Sequence, residues 1–391
     1  NLLEKYPGSE LTDDPAEADI TVINTCAFIG DAKEESINTI IENGEYKETG
    51  RLKKLIVAGC LAERYREEIR KELPEVDEVI GVKEYVERLD VQMKRVENAE
   101  NYTAYLKIAE GCDKCCTYCI IPFARGRERS RDPERVAEEV RTLVEKGFRE
   151  FVLTGIRLTS YSYEGLTLTD LIEKISVIDG VHRIRLGSLE PKAVTEDFAR
   201  RLSAIPNFCP HFHLSLQSGS AGVLKRMNRH YTPEEFMESV SYLRKYFKDP
   251  ALTADMICGF PGETEEEFNE SLEFARKVGF YEIHVFPYSV RQGTKAEKMP
   301  GQLSKKEKAE RTKILRDAAA EMKQAYLTRH IGRTAEALLE ETCEVAGRTY
   351  WTGYTPEYIR VLYDTNHEMS GKFVTGTLND IKNGAMYLSA R

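Results

Sequence analysis

Short apolar stretches with strand character alternate with longer helical stretches through most of this sequence, and this pattern constrains the fold most. Strand and helix in strict succession build parallel sheets with crossover helices. Strands are expected at residues 19–24, 54–59 and 76–80, with helices at 31–43 and 62–72 between and after them. A charged stretch at 94–101 reads as a linker. Beyond it, strands are expected at 104–109, 150–154, 183–187, 211–216, 252–257 and 282–286. Thr232 with Glu235, and Thr264 with Glu267, form capping boxes that start two of the intervening helices. Six such units point to a partial barrel of the TIM kind, two short of closure.

Ser304 and Glu307 cap a long helix running to about residue 329, and Gly332 is placed to end it. The pattern then changes to short strands at 335–340, 348–353, 358–363, 372–378 and 385–389, spaced by Gly, Pro and Asn. That is the signature of a small β-barrel. The expected class is therefore α/β: an open Rossmann-like domain over 1–98, a partial (β/α)6 barrel over 99–328, and a small antiparallel β-barrel over 329–391. With 391 residues a large core is available without disulfide staples. No apolar run approaches the roughly 18 residues of a membrane span, so a soluble, cytoplasmic chain with no membrane partner is expected. The net charge of -9 argues against holding nucleic acid by bulk charge.

Four of the nine cysteines, Cys112, Cys115, Cys116 and Cys119, fall within eight residues, directly after the first barrel strand. Clustered thiols without a secretory leader read as metal ligands rather than disulfides. Cys112, Cys116 and Cys119 give the spacing C-x3-C-x2-C. Three thiolates bind three irons of a [4Fe–4S] cluster and leave the fourth iron open to a small molecule. Cys115 permits the alternative C-x2-C-x3-C, but the aromatic Tyr118 just before the last cysteine favours the first assignment. A zinc site would ask for paired C-x2-C elements some distance apart, and no second pair appears away from this loop. Cys26 and Cys60 each follow the C-terminal end of a strand, where open α/β sheets bind ligands. Cys209, Cys258 and Cys343 lack such a context and read as structural.

The cysteine loop, its place after strand one and the six-unit barrel resemble the radical S-adenosylmethionine superfamily. Further strings narrow the resemblance to its methylthiotransferases, which pair the core with an N-terminal cluster domain and a small C-terminal barrel called TRAM. These are Asn24-Thr-Cys26, Ala58-Gly59-Cys60, Leu153-Thr154-Gly155-Ile156, Gly187-Ser188-Leu189-Glu190-Pro191, His213-Leu-Ser-Leu-Gln217, Lys225-Arg226-Met227-Asn228-Arg229, Gly259-Phe260-Pro261-Gly262 and Phe286-Pro287-Tyr288-Ser289. The resemblance implies S-adenosylmethionine and two [4Fe–4S] clusters as cofactors, and a low-potential electron donor such as flavodoxin or ferredoxin. It implies that Cys112, Cys116 and Cys119 hold the radical cluster, whose open iron chelates S-adenosylmethionine. Tyr118, Thr154, Gly155, Ser188, Glu190, Gln217, Arg229, Gly259 and Pro261 would contact that cofactor. Cys26 and Cys60 would hold the auxiliary cluster with a third cysteine upstream of Asn1, so the first domain is expected to be incomplete at its start.

Two branches of the family are represented. Residues 1–122 resemble the branch acting on an aspartate of a ribosomal small-subunit protein. From Phe123 onward the chain resembles the branch that modifies C2 of N6-threonylcarbamoyladenosine at position 37, in the anticodon stem-loop of tRNA. Because the barrel and C-terminal domain would touch substrate, tRNA is the expected substrate and the ribosomal protein the alternative. Arg125, Arg127, Arg129 and Arg131 would then meet phosphates, and Tyr350, Trp351, Tyr354 and Tyr358 would stack on bases.

Overall fold

The computed structural model describes residues 10, 12–26, 30–82, 84 and 102–390; the linker expected at 94–101 lies outside them. By packing, the chain divides into two units. One comprises Asn1–Glu97, Gly111–Arg127 and Ser289–Lys298, and the other Asn98–Glu110, Glu128–Tyr288 and Met299–Arg391.

The first unit holds a three-stranded parallel sheet in the order β1-β2-β3, formed by β1 (Ile20–Thr25), β2 (Lys54–Gly59) and β3 (Glu78–Ile80). Helix α1 (Gly30–Gly44) is the crossover from β1 to β2, and α2 (Cys60–Arg64) and α3 (Arg66–Glu72) lead on to β3. The single helix expected at 62–72 is broken at Tyr65, which leaves helical geometry at φ -121°, ψ 33°. Ile23, Ile40, Leu55, Val57, Leu61 and Val79 form the core of this unit. Ala124, from the short helix α4 (Ile121–Arg125) that follows the cysteine loop, belongs to the same apolar cluster.

The second unit carries the six parallel strands read from the sequence. They are β4 (Thr103–Glu110), β5 (Glu150–Gly155), a third interrupted at Gly187 into β6 (Arg183–Leu186) and β7 (Ser188–Leu189), β8 (His211–Gln217), β9 (Ala251–Cys258) and β10 (Glu282–Pro287). Parallel pairing runs β4-β5-β6 and then β7-β8-β9-β10, with Glu150 opposite Arg183 and His213 opposite Ser188. Period-2 alternation decides which side chains meet the helices. Leu106, Ile108, Phe151, Leu153, Phe212, Leu214, Leu216, Ala254, Met256, Ile283 and Val285 join one core cluster. The residues between them are mostly polar: His211, His213, Ser215 and Gln217 on β8, and Thr253 and Asp255 on β9. A polar inner face makes this barrel a receptacle rather than a packed core, unlike a closed TIM barrel.

Both expected capping boxes form, at Thr232 and Thr264, as does the one at Ser304 that opens the long helix Lys305–Thr328. The chain ends in a closed five-stranded barrel of Thr334–Val345, Arg348–Tyr354, Arg360–Tyr363, Ala385–Ala390 and Phe373–Lys382, in that spatial order. Its pairs are antiparallel except Arg360–Tyr363 with Ala385–Ala390. The strand expected from 358 starts only at Arg360, because Tyr358 sits in a turn with φ +64°.

That turn is committed to the six-stranded barrel. Arg185 donates to the Thr355 and Pro356 carbonyls at 3.1 and 2.9 Å, and its guanidinium lies 4.6 Å from the Tyr358 ring. The His211 ring stacks on Tyr358 at 5.0 Å, and Tyr358 stacks on Tyr354 at 4.4 Å. Burial pushes the His211 imidazole pKa far below its ordinary value, and the Arg185 charge adds to the effect. The ring is therefore neutral in the folded chain, whereas the unfolded chain binds a proton there near pH ~6.5. The stability tied to His211 is full above that pH and is lost as pH falls toward the folded pKa, at up to ~1.4 kcal/mol per pH unit. Urea unfolding of the wild type is expected to lose more stability between about pH 7.5 and about pH 5.5 than unfolding of His211→Phe, which carries no titratable ring.

Candidate active site

In the first unit, Cys26 and Cys60 stand at the ends of neighbouring strands, since Thr25 and Gly59 are register partners. Gly59 makes this approach possible. Its φ is +102°, and a Cβ there would lie 2.6 Å from both Asn24 Oδ1 and the Thr25 carbonyl. The Ser36 hydroxyl, on α1, accepts from the Cys26 backbone N–H at 3.1 Å and so fixes the chain as it leaves β1.

The cysteine loop belongs to the same unit and is held by its backbone. Gly111 enters it at φ +79°, where a Cβ would fall 2.0 Å from the Arg127 carbonyl. The Cys112 N–H donates to the Gly126 carbonyl and the Cys119 N–H to the Cys116 carbonyl, each at 3.0 Å. The Thr117 and Tyr118 carbonyls accept from the Ala296 N–H at 2.9 Å and from Arg291 at 3.0 Å. Cys112, Cys116 and Cys119 are half-buried, Cys115 is exposed, and Tyr118 is buried. Among the described residues no three His, Cys, Asp or Glu side chains converge to hold a metal ion. The donor chemistry still fits an iron–sulfur cluster: three soft thiols on one braced loop, and two more at adjoining strand ends.

The second unit arranges the remaining expected contacts around the C-terminal strand ends, as open α/β architectures require. Thr154 and Gly155 end β5, and Gly155 passes so close to Ala109 that a Cβ would meet that residue at 3.1 Å. The hydroxyls of Ser188 and Ser215 are 2.6 Å apart, and Ser188 is exposed. Glu190 accepts from Arg157 at 3.0 Å, and Arg157 also pairs with Glu128. Burial pulls the Arg157 pKa down, but the two carboxylates outweigh it and leave the group above its ordinary value. Gln217 is buried at φ +65°, beside a register shift in β8. Arg229 donates to the Ser215 carbonyl at 3.0 Å. The Gly259 N–H donates to buried Glu263 at 2.9 Å, and Pro261 is buried in the same turn.

Residues 106–275 match the Radical SAM superfamily, and residues 1–81 match the Uncharacterized protein family UPF0004. The chain is 40% identical to the ribosomal protein uS12 methylthiotransferase RimO of Lachnoclostridium phytofermentans, over 96% of this chain and 92% of that one. It belongs to the radical S-adenosylmethionine methylthiotransferases. S-adenosylmethionine and [4Fe–4S] clusters are the cofactors of these enzymes. The RimO of Clostridioides difficile is 35% identical over 95% of this chain and 90% of its own length. Among solved structures, the cobalamin-dependent S-adenosylmethionine radical enzyme OxsB superposes with a TM-score of 0.51 at 14% identity, covering 79% of this chain and 48% of that one, a likeness of fold alone.

The methylthiotransferase relatives overturn the expectation of a tRNA substrate. They match the C-terminal part of the chain as well as the first third, and their names specify a ribosomal protein. The structure supplies a physical reason why the aromatic residues misled. Tyr350 is buried, Trp351 packs against the small barrel's core, and Tyr354 and Tyr358 stack together under His211. None of the four is exposed for base stacking. Of the alternating arginines, Arg131 is tied to the Lys107 carbonyl at 3.0 Å and to Glu139 at 2.6 Å. Sequence reasoning missed His213, Asp255 and His284, which share the polar inner face of the barrel. The strict alternation of His211-Phe-His-Leu-Ser-Leu-Gln217 was the signal that would have found the first.

Among the described residues no helix is long and apolar enough to cross a membrane.

Proposed function

We propose that this methylthiotransferase converts a C–H bond on the β-carbon of an aspartate in a ribosomal small-subunit protein into C–SCH3. The observation carrying this reading is the 40% identity to a uS12 methylthiotransferase across 96% of the chain. On this reading Cys112, Cys116 and Cys119 hold the radical cluster and Cys26 and Cys60 are two ligands of the auxiliary one. When bound, the cofactors supply reductive cleavage of S-adenosylmethionine, hydrogen abstraction and the methylthio sulfur.

The chain's own residues do the rest. Gly111 and Gly126 bend the cysteine loop. Thr154, Gly155, Ser188, Glu190, Gln217, Arg229, Gly259 and Pro261 would present polar groups or bare backbone to S-adenosylmethionine, and Tyr118 would contact its adenine. The salt bridge of Arg157 with Glu190 holds that carboxylate in place. A low-potential protein such as flavodoxin or ferredoxin delivers the electrons, and the small TRAM-like barrel closes the N-terminal end of the strands. Substrate and electron donor place the reaction in the cytoplasm.

The test is anaerobic incubation of the reconstituted enzyme with reductant, S-adenosylmethionine and uS12, followed by peptide mass spectrometry. One aspartyl peptide is expected to gain the mass of SCH2. An unmodified protein in a reaction that still consumes S-adenosylmethionine would overturn the reading.

A further inference from the structure

The inner face of the last three barrel strands carries a connected group of polar side chains. Their neighbours Leu214, Leu216, Ala254, Met256, Ile283 and Val285 face the helices, so His213, Thr253, Asp255 and His284 face the interior. His213 uses both ring nitrogens: Nδ1 lies 2.9 Å from Thr253 Oγ1 and Nε2 lies 3.2 Å from Asp255 Oδ2. On the other side of Thr253, its hydroxyl is 3.3 Å from His211 Nε2, and His211 is stacked on Tyr358. Asp255 is thereby braced, through two histidines and a threonine, from the turn of the small C-terminal barrel.

Two members of the group remain open to the interior. The Asp255 side chain is 32% exposed, with one oxygen committed to His213. His284 is its register partner on the adjacent strand, is exposed, and has its ring 5.7 Å from that of His213. Other basic side chains on the barrel strands and their ends already have protein acceptors. Lys107 pairs with Glu110, Arg157 with Glu128 and Glu190, and Arg229 with the Ser215 carbonyl. Arg183 and Arg185 share Glu150. Among the described residues His284 makes no such bond, so its ring N–H is available.

We propose that His284 and Asp255 form a two-point seat for the aspartyl residue of the substrate protein. The His284 ring donates to the side-chain carboxylate, and the Asp255 carboxylate accepts from a backbone amide N–H. Two anchors on opposite sides of the β-carbon hold that atom still for hydrogen abstraction, which depends on placement. His213 touches no substrate and is a positioning residue for Asp255. This seat deepens the proposed function and rests on it.

A site that hydrogen-bonds a substrate group rejects an analogue lacking it, because the site's own polar atoms then go unpaired. Binding of uS12 and of uS12 with the modified aspartate changed to alanine is measured on the cluster-loaded enzyme. The wild type is expected to prefer aspartate by about 10-fold or more, the value of one hydrogen bond to a charged group. His284→Ala is expected to erase that preference and His284→Gln, which keeps an N–H donor, to restore part of it. Asp255→Asn is expected to weaken both ligands alike. Preference retained in both His284 variants, while wild type still modifies uS12, overturns the seat alone. Failure of wild type to modify uS12 at all overturns the underlying reading and the seat with it. Cluster absorbance of each variant verifies that it has folded and loaded.

Discussion

Cys116→Ala is expected to abolish reductive cleavage of S-adenosylmethionine, whereas Cys115→Ala is expected to leave it nearly intact. Two adjacent cysteines offer two ligand spacings, and the sequence alone leaves a choice between them. The fold separates them: Cys112, Cys116 and Cys119 are half-buried in a loop braced by three backbone hydrogen bonds and one from the Arg291 side chain, and the Cys115 side chain is exposed. A cluster thiolate that reaches water is both more easily oxidised and more easily lost, so the three sheltered thiols are the better ligand set. Loss of a first ligand should exceed the ~10–100-fold that loss of an outer partner costs a metal site. Cys112→Ala and Cys119→Ala are expected to behave as Cys116→Ala does. Iron content and visible absorbance check cluster loading, and 5′-deoxyadenosine release checks cleavage. The reverse pattern, with Cys115→Ala inactive and Cys116→Ala active, would establish the other spacing.

The strand order and the helix starts were legible because they depend on local chemistry. Period-2 and helical hydrophobic patterns place all six barrel strands within a residue or two, and Ser or Thr followed three residues later by Glu marks three helix starts. A fourth box, Thr167 with Asp170, went unread because its acidic partner is Asp rather than the usual Glu. What the sequence did not disclose were long-range commitments. Tyr358 looks like a strand residue and a stacking platform until its positive φ and its contact with His211 are seen. Nothing local predicts that the cysteine loop and the strip from Ser289 to Lys298 pack as one unit with the N-terminal sheet. The thiols themselves were legible by spacing, and the group of His213, Asp255 and His284 was not, since its members come from three strands far apart in the chain.

The largest stability effect is expected from Glu150→Leu, at the junction between the two barrels of the second unit. Glu150, Arg183 and Arg185 have side chains only 3–4% exposed. Glu150 accepts from Arg185 at 2.9 Å and faces Arg183 at 3.5 Å, so one carboxylate balances two buried guanidinium groups. Glu336 supplies a second negative charge to Arg183 at 3.1 Å, but it is 36% exposed and correspondingly screened. Removing one partner of a buried pair strands a desolvated charge, at a cost of ~3–5 kcal/mol. Glu150→Gln keeps the shape and an acceptor and should cost less than Glu150→Leu. Arg185→Met leaves Glu150 paired with Arg183, but it deprives the Thr355 and Pro356 carbonyls of their donor, at ~1–3 kcal/mol for each group left unsatisfied. The double variant Glu150→Leu/Arg185→Met removes one positive charge along with the carboxylate, and is expected to recover part of the Glu150→Leu loss. Urea unfolding measures these differences. Proteolysis between Arg329 and Arg333, where the long helix hands over to the small barrel, reads undocking directly. A Glu150→Leu protein within about 1 kcal/mol of wild type would mean the two arginines are balanced by carbonyls and ring faces instead of the carboxylate.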